Sequence, residues 1–498
     1  MPTATSTSAP TPSGTTTFAY DAANRLVSKS LPGGAGTLSY TYDAASNLTS
    51  TTGPEGTTAY RYNQLNRLDQ LTGPDGRKTV FAHNQAGLRT GTWYNSPTDA
   101  TYDASGHTLV PPAAFAAHTA LSYDADGRLT ATRTTGASGA ATLSDLSYSY
   151  SGPTACASGP AGMTDKRQSV TDHLAGATTT FCYDQAGRLA SASTGGGPSY
   201  AYTYSLSGDR TSDNGGSYSL NSAGQLTGPG YAYDADGNMT SSPSLAFAYN
   251  GRGQATSATP AGGQAVAFAY SGTSQSERTA AGPTTYANGP GGSASEVTGG
   301  VRTTWVREPG GGLVSSHGPA GDFYFYFDGL GSVIGLVGPD GAQRASYTYG
   351  PYGEDATETA HNGPLPPNPW RWSGGYLDAA TGLYHFGARY YDPAAGRFTQ
   401  PDPVVGGSCT AYDYACGDPV DFTDTIGTKV RPLPPGPYSV CHWIGPEYDD
   451  IAFTSQACVH YRTAVANSKP SIYWDFIEKG QPYTEVYVSR IKVTPACI

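Results

Sequence analysis

One motif returns along the first half of this chain, an aromatic residue, Tyr-Asp, a turn ending in Gly or Asn, then Arg-Leu. It reads FAYDAANRL from Phe18, YTYDAASNL from Tyr40, YRYNQLNRL from Tyr60, LSYDADGRL from Leu121, FCYDQAGRL from Phe181 and YAYDADGNM from Tyr231. Degraded copies are ATYDASGHTL from Ala100 and FAYNGRGQA from Phe247. The tyrosines Tyr20, Tyr42, Tyr62, Tyr102 and Tyr123 fall about twenty residues apart, or twice that where a unit has degraded. Each unit alternates aromatic and small residues, turns at a residue that tolerates positive φ, and resumes. That is a β-hairpin pattern. A single hairpin is marginal in water, so neighbouring units must pair edge to edge to complete their hydrogen bonds and bury the aromatic face. The array therefore propagates as one long sheet, and twist of constant hand makes such a sheet coil.

Composition agrees with an all-β chain. Charged residues are 13% of the 498, Gly and Pro are abundant, and 37 Tyr outnumber 14 Phe and 6 Trp, a mixture that favours turn-rich sheet over helix. The net charge of -11 argues against nucleic-acid binding by the main body, because phosphate recognition needs clustered Lys and Arg. No run of eighteen apolar residues is present, so no membrane span is expected. Residues 1–17, rich in Ser, Thr and Pro, lack the basic and apolar regions of a conventional signal peptide and read as a disordered lead. The start in mid-array suggests the C-terminal part of a longer protein.

Several local patterns have a plain structural reading. Asp124, Asp126 and Gly127, echoed at Asp234, Asp236 and Gly237, resemble the start of a calcium loop, but the later carboxylates are missing and a hairpin turn is expected. The periodic tyrosines suit a core better than a carbohydrate-stacking surface. Arg25, Arg67, Arg128 and Arg188 read as solvated or cross-strand partners. Seven cysteines without CxxC spacing leave one or two disulfides in the C-terminal third open and give no reason to expect zinc.

After Gly300 the repeat changes. Phe323 to Glu354 contains Asp328-Gly329-Leu330-Gly331-Ser332, whose spacing is not that of a dinucleotide loop and which reads as a bulged hairpin. Then follow Gly382-Leu383-Tyr384, Ala388-Arg389-Tyr390-Tyr391-Asp392-Pro393 and Gly396-Arg397-Phe398. Together with the repeats, these segments resemble the core-associated region of the Rhs/YD-repeat family, which takes in polymorphic toxins, teneurins and the C component of insecticidal toxin complexes. The resemblance implies a hollow β-shell (YD-shell, a β-cocoon) whose core segment plugs the shell and cuts the chain beside it. On that basis the chain divides into a lead (1–17), a repeat shell (18–300), a core segment and possible autoprotease (301–427) and a variable C-terminal region (428–498). Arg389, Tyr390, Tyr391 and Arg397 are expected to seat the plug, a structural role.

The chemistry is expected at Asp402 and Asp424. Aspartic proteolysis needs two carboxylates close enough for one to act as base while the other, protonated, polarises the scissile carbonyl. Their interval of 22 residues equals that of the family's DPxG-x18-DPxG self-cleavage motif. The chain departs from it in reading DPVV at Asp402 and DTIG at Asp424, losing a Gly at position 405 and a Pro at position 425. Two outcomes stay open, self-cleavage shortly after Gly427 and a structural remnant. Neither requires a cofactor or a metal.

From Thr428 the composition shifts to a possible toxin module. Lys429 to Tyr438 reads as an extended linker, Pro446 as the start of a helix carrying Ile451, Cys458, Tyr461 and Val465 on one face, and SIYWDFIE and TEVYVSRIKVTPACI as strands, giving a small α+β unit. By position it matches the family's effector, encapsulated as the shell's own cargo, and the resemblance implies an immunity protein and a secretion machinery as further partners. His442, His460, Arg462, Asp475 and Glu478 are of types suited to acid–base ribonuclease chemistry. The alternative to a secreted toxin is a non-enzymatic, secreted or cell-surface adhesion protein.

Overall fold

The computed structural model describes residues 7–432 except 12–13, 32–35, 98–100, 103–107, 111–113, 140, 153–155, 157–164, 215, 272–276, 290 and 405, together with 473–476 and 484–487. No α-helix occurs among them. The chain divides into two compact units, Met1–Ser439 and Val440–Ile498. In the second, strands Tyr473–Phe476 and Thr484–Tyr487 pair antiparallel. The helix expected from Pro446 lies outside the described residues, as do His442, His460, Arg462 and Glu478.

The first unit is an antiparallel meander in two large sheets. The first sheet has eighteen strands, from Thr7–Thr11 to Gly216–Ser217, and the second has fourteen, from Ala232–Tyr233 to Thr357–Ala360. Within the span expected to be a disordered lead, Thr7–Thr11 pairs with Gly14–Phe18 and adds a strand beside it. The break between sheets falls near residue 220, and the second sheet runs on past residue 300, because the hairpins on either side of that point still pair (Gly292–Thr298 with Val301–Arg307).

The repeat motif is explained atom by atom in the unit at Tyr20. The Asp21 N–H donates to the Arg25 carbonyl and the Asn24 N–H to the Asp21 carbonyl, both at 3.0 Å. Asn24 takes φ 60°, and the register shifts between Ala19 and Tyr20, the three-residue hairpin loop with a bulge. Asp21 Oδ1 accepts the Ala23 and Arg25 N–H groups at 2.9 Å, while Oδ2 accepts Arg25 Nε at 2.7 Å. Arg25 then reaches the Asp43 carbonyl of the next unit at 3.0 Å and stacks on the Tyr42 ring. Tyr42 donates back to the Leu26 carbonyl at 2.8 Å. The same backward bond joins Tyr62 to Leu48, Tyr150 to Leu129 and Tyr204 to Leu189. A phenylalanine would leave those carbonyls without this donor, which accounts for the excess of Tyr. At Asp124 both carboxylate oxygens are likewise occupied by Asp126 and Arg128 donors, as a hairpin turn requires.

The sheets pack through Leu71, Phe81 and Tyr94 of the first against Val306, Val314, Tyr324 and Val337 of the second. A buried bidentate pair, Arg89 with Glu308 at 2.7 Å, joins them beside this cluster. A small four-stranded sheet, Tyr376–Asp378, Leu383–Phe386, Arg389–Asp392 and Arg397–Phe398, follows. Tyr390 and Leu383 from it pack into the second sheet's core, and Val420 packs into the first sheet's. Disulfides join Cys409 to Cys416 and Cys156 to Cys182. The second of these lies outside the region where a pairing was expected.

Candidate functional site

The small sheet rests on an aromatic cluster of Trp372, Tyr384, Phe386, Tyr391, Phe398 and Tyr414. Tyr390 and Tyr391 are buried in packing roles, and Arg397 donates to the Gly224 carbonyl at 2.5 Å, as expected for residues that seat this segment. Arg389 differs. Its guanidinium lies over the Phe398 ring, 3.6 Å from the centroid, and its Nη2 is 2.6 Å from Asp424 Oδ2 and 3.1 Å from Asp402 Oδ2. The structure thus brings the two aspartates onto one cation, and Arg389 seats this segment through an ion pair with both of them. Two desolvated carboxylates need a positive partner, and that requirement was the available signal.

Each aspartate is held by its own turn. Asp402 Oδ1 accepts the Val404 N–H at 2.8 Å, and Oδ2 accepts Ser408 Oγ at 2.5 Å. Ser408, which sequence reasoning missed, also accepts Arg389 Nη2 at 3.0 Å. Asp424 is fully buried, and its Oδ1 accepts the N–H groups of Thr428 and Lys429, both at 3.1 Å. Burial pulls the Arg389 guanidinium below its ordinary value, and the Asp424 and Asp402 charges oppose that pull. Burial pushes the neighbouring Asp413 carboxyl up to about 6.

The chain beyond Gly427 crosses this pair. The Cβ position on Gly407 would lie 2.1 Å from the Thr428 carbonyl oxygen and 2.8 Å from Asp402 Oδ2, so only glycine lets the three meet. The Val430 N–H donates to the Gly407 carbonyl at 2.9 Å, and Arg431–Pro432 pairs with Phe422–Thr423. The Thr428 carbonyl oxygen and Asp402 Oδ2 thus flank the same face of Gly407, less than about 5 Å apart, and the Lys429 N–H donates to Asp424. Of the residues considered for acid–base chemistry in the tail, only Asp475 lies within a described strand, Tyr473–Phe476.

The family model described as teneurin YD-shell matches residues 165–278 and 297–409, and that described as RHS repeat matches 42–78. A tRNA3(Ser)-specific nuclease, WapA of Bacillus spizizenii, is 34% identical over 122 residues, which is 23% of this chain and 5% of that protein. Double-stranded DNA deaminase toxin A of Burkholderia cenocepacia is 32% identical over 107 residues, 21% of this chain and 7% of that protein. The chain thus spans less than a tenth of the length of these curated relatives. The crystal structure of TcdB2-TccC3-TEV has a TM-score of 0.61 at 19% identity, covering 83% of this chain and 24% of that one. That likeness is one of fold. Repeat chemistry, sheet order and family models agree, and the chain belongs to the RHS/YD-repeat family of YD-shell proteins.

Proposed function

We propose that this protein hydrolyses its own backbone at the Thr428–Lys429 peptide bond and so frees the C-terminal region from the shell. The observation that carries the reading is the hydrogen bond from the Lys429 N–H to Asp424 at 3.1 Å, with the Thr428 carbonyl oxygen and Asp402 Oδ2 both against Gly407 on the other side of that bond. A carbonyl oxygen beside a carboxyl group is polarised when that group holds a proton, which assigns Asp402 as the acid. Asp424 then takes a proton from water as the water oxygen attacks the Thr428 carbonyl carbon. It passes that proton to the Lys429 nitrogen as the C–N bond breaks, leaving a Thr428 carboxyl group and a Lys429 amine. Arg389 holds the two carboxyl groups together before the reaction and balances the charge on whichever is ionised.

The shell relation supports a container role, with the C-terminal region as enclosed cargo. The names of the relatives, a tRNA-specific nuclease and a DNA deaminase toxin, support a toxic effector as the class of that cargo. The test is expression of the full chain with its Asp402→Asn and Asp424→Asn variants, followed by denaturing gel and intact-mass measurement. Wild type is expected to yield a fragment beginning at Lys429, and both variants, folded by circular dichroism, to remain whole. A cut elsewhere overturns the bond assignment. An uncut wild type overturns the cleavage reading and leaves the non-enzymatic adhesion role.

A further inference from the structure

A second cluster lies where the two sheets meet, away from the aspartate pair. His317, on strand Leu313–Gly318, is the direct cross-strand partner of Asp322, on strand Gly321–Phe327 of the second sheet. Facing them is Asp75, from the turn at 73–77 that joins strands Leu68–Thr72 and Lys78–His83 of the first sheet. His317 Nδ1 is 3.0 Å from Asp322 Oδ1 and 4.0 Å from Asp75 Oδ2. The ligand atoms of all three lie within 4.8 Å of one another.

Hydrogen bonding accounts for only part of this arrangement. The imidazole Nδ1 satisfies Asp322, and Nε2 is 3.0 Å from Ser315 Oγ. Asp75 spends Oδ1 on the Arg77 N–H at 3.0 Å and turns Oδ2 toward the imidazole at a distance too long for a hydrogen bond. The buried Tyr324 hydroxyl also senses both acids. Burial and then the Asp75 and Asp322 charges hold it above its usual range, with Arg77 opposing. Two carboxylates and one imidazole nitrogen thus converge on one point, while Ser315 is placed to fix the other nitrogen, the outer-shell partner that metal-bound histidines have.

We propose that His317, Asp322 and Asp75 form a binding site for a divalent transition-metal ion of the zinc class, which staples the first sheet to the second. Zinc bonds of about 2.0–2.2 Å to N and O put tetrahedral ligand atoms roughly 3.3–3.5 Å apart. The observed 3.0 and 4.0 Å bracket that spacing and the third pair lies within 4.8 Å, so a shift of about an ångström in the exposed Asp75 turn closes the site. The imidazole favours zinc, cobalt or nickel over calcium, magnesium or manganese, which prefer oxygen shells. Solvent reaches the site through exposed Asp75, so water completes the coordination.

The test uses the full chain, stripped with EDTA and kept oxidised so that Cys409 and Cys416 stay paired. Zn2+ is titrated by calorimetry, and Co2+ by its visible absorption. Saturable binding and a rise in melting temperature are expected for the wild type. Asp75→Asn, on an exposed turn, and His317→Ala should each weaken binding at least tenfold and lose the thermal shift. Absence of saturable binding, or equal affinity in wild type and both variants, overturns the site. Because Asp402 and Asp424 take no part, the result is independent of self-cleavage.

Discussion

Replacing Arg389 with Met strikes the candidate site at its centre. The substitution keeps much of the apolar volume over Phe398 but removes the cation from Asp424 at 2.6 Å, Asp402 at 3.1 Å and Ser408 at 3.0 Å. Asp424 is fully buried and the Asp402 side chain nearly so, so neither carboxylate can recover its partner from water. Breaking a buried pair by removing one member costs about 3–5 kcal/mol, and two stranded acids put Arg389→Met toward the upper end at pH 7. Thermal melts at pH 7 should show this deficit against wild type, and Arg389→Met/Asp424→Asn should recover part of the loss, because it removes one of the stranded charges. A single variant that melts like wild type, or a double variant no more stable than the single one, would refute the reasoning.

Two further outcomes are expected. The loop from Cys409 to Cys416 carries Ala411, whose carbonyl accepts the Asp402 N–H at 2.8 Å, and it ends in left-handed residues Ala415 and Cys416 (φ 54° and 55°), a conformation that costs roughly 1 kcal/mol or more per residue. Cys409→Ser/Cys416→Ser should therefore slow appearance of the fragment at least tenfold while the melt of the shell changes little, and an unchanged rate would sink the idea that this bridge holds the site. Asp418 is buried beside Lys166 and Asp421, and burial together with Asp421 raises its pKa to about 7. A carboxyl group raised in the folded state stabilises fully below its ordinary value near 4 and loses that contribution as pH rises toward 7. Wild-type melting temperature should accordingly fall over that interval more steeply than that of Asp418→Asn, and parallel curves would count against it.

The hairpins were legible because their causes are local. Asp21, Asn24 and Arg25 satisfy one another within five residues, so the motif contains its own turn, bulge and ion pair. The partners of the hairpins were not legible. Arg89 meets Glu308 and Lys29 meets Glu277 across more than two hundred positions, and nothing near either residue encodes that choice. The division between sheets escaped for a related reason. The pairing chemistry is the same at every hairpin, so the sequence does not mark where one ladder ends. At the candidate site the interval between Asp402 and Asp424 was readable, whereas the identity of the shared cation depended on how the strand Arg389–Asp392 packs on Phe398.

The two departures from the family motif fall in turns that this chain closes by hydrogen bonds of its own. A proline at position 425 would preset φ near −65° but add no hydrogen bond. Here the turn is closed by other means: the Gly427 N–H reaches the Asp424 carbonyl at 3.3 Å, and Asp424 Oδ1 gathers the next two amides. Val405 itself lies outside the described residues, yet the turn around it is closed by the Gly407 N–H on the Val404 carbonyl at 3.0 Å, with Gly406 at φ 78°. Gly406 takes positive φ there, and Gly407 leaves room for the Thr428 carbonyl. Hydrogen bonds of this chain's own atoms thus close both turns without the motif's Gly and Pro, which keeps DPVV and DTIG compatible with the paired-aspartate chemistry proposed above.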